Sequence, residues 1–204
     1  MLEPLVATLI TAGTQLLTGV QARWLGCAPS AVQRIYFANH ASHTDFVLVW
    51  SVLPARLKKV TRPVAAADYW DRSPWGRYLM HRVFHGVPVI RGGAGKEHNP
   101  IATMCQAFDE GASLILFSEG TRGPGESVQP FKSGIFHLAE SRPHVELVPA
   151  WIDNSYRVMP KGVLLPIPLL CSVAFGKPAH LEPGERKEAF LARLRQSLVE
   201  LGAA

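Results

Sequence analysis

The sequence predicts a single α/β domain, a mixed and mostly parallel sheet flanked by helices, and three observations carry that prediction. Strand-like apolar runs alternate with helix-like stretches from Gln33 to the C-terminus. The apolar run ending at Phe117 opens into a loop rich in glycine and proline, where α/β proteins place their sites. The chain has 204 residues, enough for one sizeable core and too few for two full domains. Neither an internal repeat nor a low-complexity tract breaks the pattern.

The elements follow in order. The nineteen residues from Pro4 to Ala22 carry no charge, close to the about 20 needed to span a bilayer. Thr8, Thr11, Gln15, Thr18 and Gln21 interrupt them, however, while Leu5, Leu9, Ala12, Leu16 and Val20 recur at helical spacing. Two readings fit this amphipathic helix: it lies in a membrane interface, or it covers the sheet of a soluble domain. Residues 1–30 are therefore read as an N-terminal helix and linker, and residues 31–204 as the main domain. Within the latter, Gln33 to Ala38 reads as a strand, Thr44 to Leu53 as a helix, Lys59 to Ala65 as a strand, and Pro74 to Phe84 as a helix opened by its proline. Val87 to Ile90 is a short strand, Glu97 to Glu110 a helix ended by Gly111, and Ser113 to Phe117 an apolar strand. Ser133 to Glu140 reads as a helix, Val145 to Ile152 and Ser172 to Phe175 as strands, and Arg186 to Leu201 as the last helix. Met159 to Leu170 is apolar but broken by Pro160, Pro166 and Pro168, which predicts an extended loop.

Composition narrows the function classes. Apolar residues make up 48%, which excludes disorder, and charged residues only 18%, against about 25% in an average soluble protein. The net charge of +5 favours anionic partners such as phosphates or acidic lipid headgroups. Cys27, Cys105 and Cys171 are too scattered for a disulfide framework or a zinc site, so reduced thiols in a cytosolic setting are expected. Glu3 stands where a signal peptide has positive charge, and no cleavage site follows, so no secretory signal is expected.

Chemistry is densest in Asn39-His40-Ala41-Ser42-His43-Thr44-Asp45, between a strand and a helix. Five helical residues turn through about 500°, so His40 and Asp45 meet only if His40 precedes the helix. Ser42 and Asp45 have the spacing of a capping box, with Ser42 as N-cap, which doubles the chain back and brings the Asp45 carboxylate to one imidazole nitrogen. The other nitrogen then faces outward as a base. The same spacing also fits a plain capping carboxylate beside a surface histidine.

A second concentration is Phe117-Ser118-Glu119-Gly120-Thr121-Arg122-Gly123. Gly120 permits close approach of main-chain amides, Thr121 adds a hydroxyl, and the Arg122 fork suits a phosphate, with Glu119 placed to orient the arginine or bind a hydroxyl. A solvated turn with a surface ion pair fits this string as well. The third, Gly86-Val87-Pro88-Val89-Ile90-Arg91, delivers Arg91 at the end of a short strand, either to share a phosphate or to face solvent. Gly92 to Lys96 is no phosphate loop, because Ile90 and Glu97 occupy two required positions.

Taken in order, these residues resemble the glycerolipid acyltransferase family, the lysophosphatidate (1-acylglycerol-3-phosphate) acyltransferases. Asn39, His40 and Asp45 match its Asn-His-x-x-x-x-Asp box; Gly86 and Arg91 match its Gly-x-x-x-x-Arg box; Phe117, Glu119, Gly120, Thr121 and Arg122 match its Phe-x-Glu-Gly-Thr-Arg box. Pro149 in Val148-Pro149-Ala150 matches the proline after a hydrophobic strand, and the likeness covers about Ile35 to Gly176. Pro88 departs from the large apolar residue common there.

The resemblance implies that His40 takes the proton of a lysophospholipid hydroxyl as it attacks the thioester of acyl-coenzyme A or acyl carrier protein. Asp45 orients His40, while Arg91, Glu119, Gly120, Thr121 and Arg122 hold the glycerol phosphate, supported by Asn39 and Pro149. It further implies no metal, no other cofactor and no acyl-enzyme, and Ser118 indeed lacks the glycine two positions earlier that a nucleophile elbow requires. The expected partners are the lysophospholipid, the acyl donor and a membrane surface, with no nucleic acid. The expected location is the cytoplasmic face of a membrane, held peripherally through Leu5, Leu9, Leu16 and Val20, with Leu164, Leu165 and Ile167 as helpers. Basic residues such as Arg56, Lys58, Lys59 and Arg62 suit the donor's negative charge, the bilayer surface or plain solvent. A different lysolipid acceptor, such as a lyso-ornithine lipid, is the nearest alternative. From another class, a metal-dependent hydrolase would use His40, His43 and Asp45 with His85.

Overall fold

The computed structural model describes residues 2–42, 44–90, 99–123, 127–154 and 170–204. The chain runs α1 (Glu3–Thr18), β1 (Gln21–Trp24), β2 (Arg34–Ala38), α2 (Asp45–Val52), α3 (Ala55–Lys58), β3 (Thr61–Ala66), α4 (Ala67–Trp70) and α5 (Pro74–Arg77). A π-helical turn (Tyr78–Val83) then leads to β4 (Val87–Val89), α6 (Pro100–Asp109), β5 (Ser113–Leu116), α7 (Gly134–Ser141), β6 (Glu146–Asp153), β7 (Ser172–Phe175) and α8 (Lys187–Gly202). Arg91, His43 and all but the last residue of the Met159 to Leu170 stretch lie outside the described residues.

Seven strands form a sheet in the order β1-β7-β6-β2-β5-β3-β4. All neighbours are parallel except β6 and β7. β2 sits in the middle with all five residues buried, as expected of a parallel strand covered on both faces. Its alternation sorts the core: Tyr36 and Ala38 pack with Ile115, Val148, Phe175 and residues of α2 on one face. Ile35 and Phe37 pack with Leu114, Leu147 and buried residues of α6, α7 and α8 on the other. Pro149 pairs with Phe37 in the sheet interior. Its carbonyl accepts from the Gly176 amide at 3.0 Å, so its nitrogen faces the side where β7 has already ended, and the β2 ladder loses no donor.

The N-terminal helix stops earlier than expected. Gly19 adopts a left-handed φ of 55° and its amide caps onto Gln15, so Gln21–Trp24, read from sequence as helix and linker, becomes an edge strand beside β7. Ala7 and Ile10 of α1 pack against the core, whereas Leu5, Leu9 and Leu16 are 56%, 61% and 87% exposed. The amphipathic helix thus packs one face against α2 and the π-helical turn and presents leucines outward on the other. Val20, counted with that outward stripe, lies in the core at 4% exposure.

The helix expected from Pro74 to Phe84 starts with the Ser73 hydroxyl accepting from the Gly76 amide at 2.9 Å and widens into the π turn. The Gly86 amide bonds to the Met80 carbonyl at 2.7 Å, and a side chain on Gly86 would run into the Met80 thioether. That close approach explains the glycine of the second motif. The topology also places the site: from β2 the chain crosses to β3 on one side, and from β5 to β6 on the other. The carboxyl ends of adjacent β2 and β5 therefore flank a topological switch point, where open α/β sheets leave a crevice.

Candidate active site

Asn39 follows the last residue of β2, and its side chain extends the sheet. Its Nδ2 donates to the Ile152 carbonyl at 3.0 Å and its Oδ1 accepts from the Ile152 amide at 2.8 Å. This double bond to β6 holds the turn that carries His40. Asp45 closes that turn from the first position of α2, where the helix dipole favours a carboxylate. Fully buried, its Oδ2 accepts from the amides of Ala41 and Ser42 at 2.7 and 2.8 Å and from His40 Nδ1 at 2.9 Å.

A carboxylate only accepts, so Nδ1 carries the hydrogen and Nε2 keeps a free lone pair. The imidazole, 13% exposed, stacks on Phe117 with ring centroids 4.2 Å apart. The predicted meeting of His40 and Asp45 is present, and the capping box only in half. Asp45 reaches back to Ser42, but Thr44 rather than Ser42 occupies the N-cap, and the Ser42 hydroxyl accepts from the Thr44 amide at 3.3 Å.

The loop after β5 grips the same turn. Glu119 Oε1 accepts from the His40 amide at 2.9 Å, and the Gly123 amide donates to the His40 carbonyl at 2.8 Å. The other oxygen, Oε2, accepts from the Gln129 amide at 2.7 Å. Glu119 is 2% exposed, and burial pushes its carboxyl above the ordinary carboxylate value against the pull of those two amides. The structure thus places both of its oxygens on main-chain donors instead of on Arg122.

Gly120, Thr121 and Arg122 stand exposed at the rim. Gly120 has a φ of 73° and its amide closes a tight turn onto the Phe117 carbonyl at 3.1 Å, a conformation that favours glycine. Ser118 is buried, which agrees with its lack of a nucleophile's setting. Sequence reasoning missed Gly123, Gln129 and the stacking role of Phe117. Phe117 and Gly123 had a local signal, their place in the second concentration of residues, and Gln129 had none.

Among the described residues no three His, Cys, Asp or Glu side chains form a metal-holding group. The hydrolase alternative also relies on His43, which lies outside them.

A doubly covered α/β sheet whose switch point holds a histidine fixed by a buried carboxylate, with an exposed arginine on the loop that grips the same turn, is an arrangement suited to enzyme chemistry. The family model described as Acyltransferase matches residues 26–153, and the chain belongs to that family. The 1-acyl-sn-glycerol-3-phosphate acyltransferase of Limnanthes alba is 26% identical over 171 residues, covering 81% of this chain and 57% of that protein. The protein of the same name from Salmonella typhimurium is 26% identical over 123 residues, covering 59% and 47%. A lyso-ornithine lipid O-acyltransferase from Brucella abortus is 26% identical over 127 residues, covering 61% and 44%. The chain spans about half the length of these relatives. The crystal structure of the 1-acyl-sn-glycerophosphate acyltransferase from Thermotoga maritima shares the fold, with a TM-score of 0.72 and 20% identity over 98% of this chain and 80% of that one.

Proposed function

We propose that the chain is an O-acyltransferase that moves a fatty acyl group from an acyl thioester to the free hydroxyl of a lysophospholipid, lysophosphatidate giving phosphatidate. The observation that carries this reading is the 2.9 Å bond between His40 Nδ1 and Asp45 Oδ2, which leaves Nε2 as a base at the crevice mouth. Nε2 takes the hydroxyl proton as the oxygen forms its bond to the thioester carbonyl carbon. The carbon–sulfur bond then breaks, and the thiolate leaves with the proton from the imidazolium. Asp45 and the Phe117 ring face offset the charge that His40 gains in between.

Arg122, with Thr121 on the turn that Gly120 shapes, receives the acceptor's phosphate, joined by Arg91. Glu119 serves acceptor binding indirectly, by holding the turn that Arg122 follows. The donor is acyl-coenzyme A or acyl carrier protein, and no step is assigned to a metal or cofactor. The exposed leucines of α1 rest on the cytoplasmic face of a membrane, which supplies the lipid acceptor. No described helix is long and apolar enough to cross one.

The test is thiol release from an acyl-coenzyme A by purified protein with and without lysophosphatidate, beside H40A, with the product weighed by mass spectrometry. Acceptor-dependent release that yields phosphatidate and disappears in H40A is expected. The likeness to the Brucella protein favours one second reading, a lyso-ornithine lipid acceptor. Product from that lipid alone would replace lysophosphatidate in the reading.

A further inference from the structure

The peptide group between Val128 and Gln129 is held at both ends. Its N–H donates to Glu119 Oε2 at 2.7 Å. Its carbonyl accepts twice from a side chain that no motif contains: Arg195 Nε at 3.0 Å and Nη2 at 2.6 Å. Arg195 lies on α8, whose Phe190, Leu194 and Leu198 are fully buried in the core, so the helix that presents it is anchored.

A continuous line results: the Arg195 guanidinium, the 128–129 peptide, the Glu119 carboxylate and the His40 amide. The peptide dipole points its oxygen at the cation and its hydrogen at the anion, so each bond strengthens the next. Val128 and Glu119 are 4% and 2% exposed, which leaves little water to screen the effect.

We propose that Arg195 is a positioning residue for the His40 site, the remote countercharge of Glu119 acting through the Val128–Gln129 peptide group. The carboxylate must be ionised to accept from both amides at once, and a buried carboxylate needs compensation to stay so. In the turn it holds, the His40 amide favours its ionisation and the buried Asp45 carboxylate opposes it. The planar fork suits this place because two of its N–H groups meet one carbonyl oxygen.

The inference rests on the acyl-transfer reading only for its activity readout. The experiment is a pH titration of the His40 and Gln129 amide signals by NMR in the full chain, for wild type, E119Q, R195M and R195K, with phosphatidate formation measured over the same pH range. The two amides titrate together in wild type, and E119Q abolishes that step. In R195M the step and the acid limb of kcat both move to higher pH, and R195K moves both back. R195Q, which keeps a donor and loses the charge, replaces R195M if that variant does not fold and moves in the same direction. An unchanged titration in a folded neutral variant overturns the assignment, even if its melting temperature falls. If wild type acylates neither lysophosphatidate nor the lyso-ornithine lipid from either donor while the amide step still moves, the acyl-transfer reading fails and the Arg195 assignment stands.

Discussion

The His40 turn and the Gly120–Arg122 rim are neighbours in space and opposites in construction. In the turn, Asn39, His40 and Asp45 bond to β6, to the loop after β5 and to one another, and Asp45 is wholly buried. At the rim, Arg122 stands exposed and makes no ion pair among the described residues. The contrast suits the roles proposed for them: a base must be held in one tautomer and one orientation before substrate arrives, whereas a phosphate-binding fork must be open until it does. Changes to the groups that hold the turn should therefore damage kcat and stability together, a change to the imidazole itself kcat alone, and changes at the rim KM alone.

The largest effect that would break this comparison is at His40. H40A should lower kcat by about 10²- to 10⁴-fold in single-turnover kinetics, with a melting curve close to wild type. D45A should also lower kcat, and it should cost about 1–3 kcal/mol in denaturant unfolding, because the buried Ser42 amide and the part-buried Ala41 amide lose their acceptor. A D45A protein as stable as wild type would mean that the turn is not held as described. R122Q should raise KM for lysophosphatidate about ten- to a hundredfold, the worth of a charge-assisted bond, with kcat and melting temperature little changed.

Smaller and slower to measure is the pH dependence of stability. Glu119 titrates above the ordinary carboxylate value in the folded chain. Between those two values the folded protein holds a proton that the unfolded chain has released, so this group makes stability fall as pH rises through that window. E119Q should remove that slope from thermal melts taken across the window. The smallest effect on chemistry comes from α1: L5Q/L9Q/L16Q should reduce flotation with anionic vesicles while leaving turnover of a short-chain, soluble acceptor intact. Equal flotation of this variant and wild type would remove the helix from the membrane-binding reading.

Much of the site was legible because its logic is local. The spacing from His40 to Asp45, read with the strand before and the helix after, already admits a doubled-back turn, and the other motif boxes favour it over a plain cap. What stayed hidden depends on distant partners. Glu119 looked like a companion for Arg122, three residues away, and instead bonds the His40 amide 79 positions earlier. Gln21–Trp24 is a strand only because β7 lies alongside it, and nothing in those four residues announces the pairing. Val20 fitted a helical stripe on paper, but Gly19 turns the chain before it and sends it into the core.

The sequence by itself determined the α/β class, most element positions, the His40–Asp45 pair and the order of the motifs, since periodicity, capping and short spacings are properties of neighbouring residues. The tertiary structure alone decided that β2 and β5 stand side by side at a switch point, that Glu119 braces the His40 turn, and that Arg195 reaches the same peptide from the last helix. Those contacts join segments far apart in the chain, where no local pattern records a partner and only the packing of the whole sheet brings donor and acceptor within bonding distance.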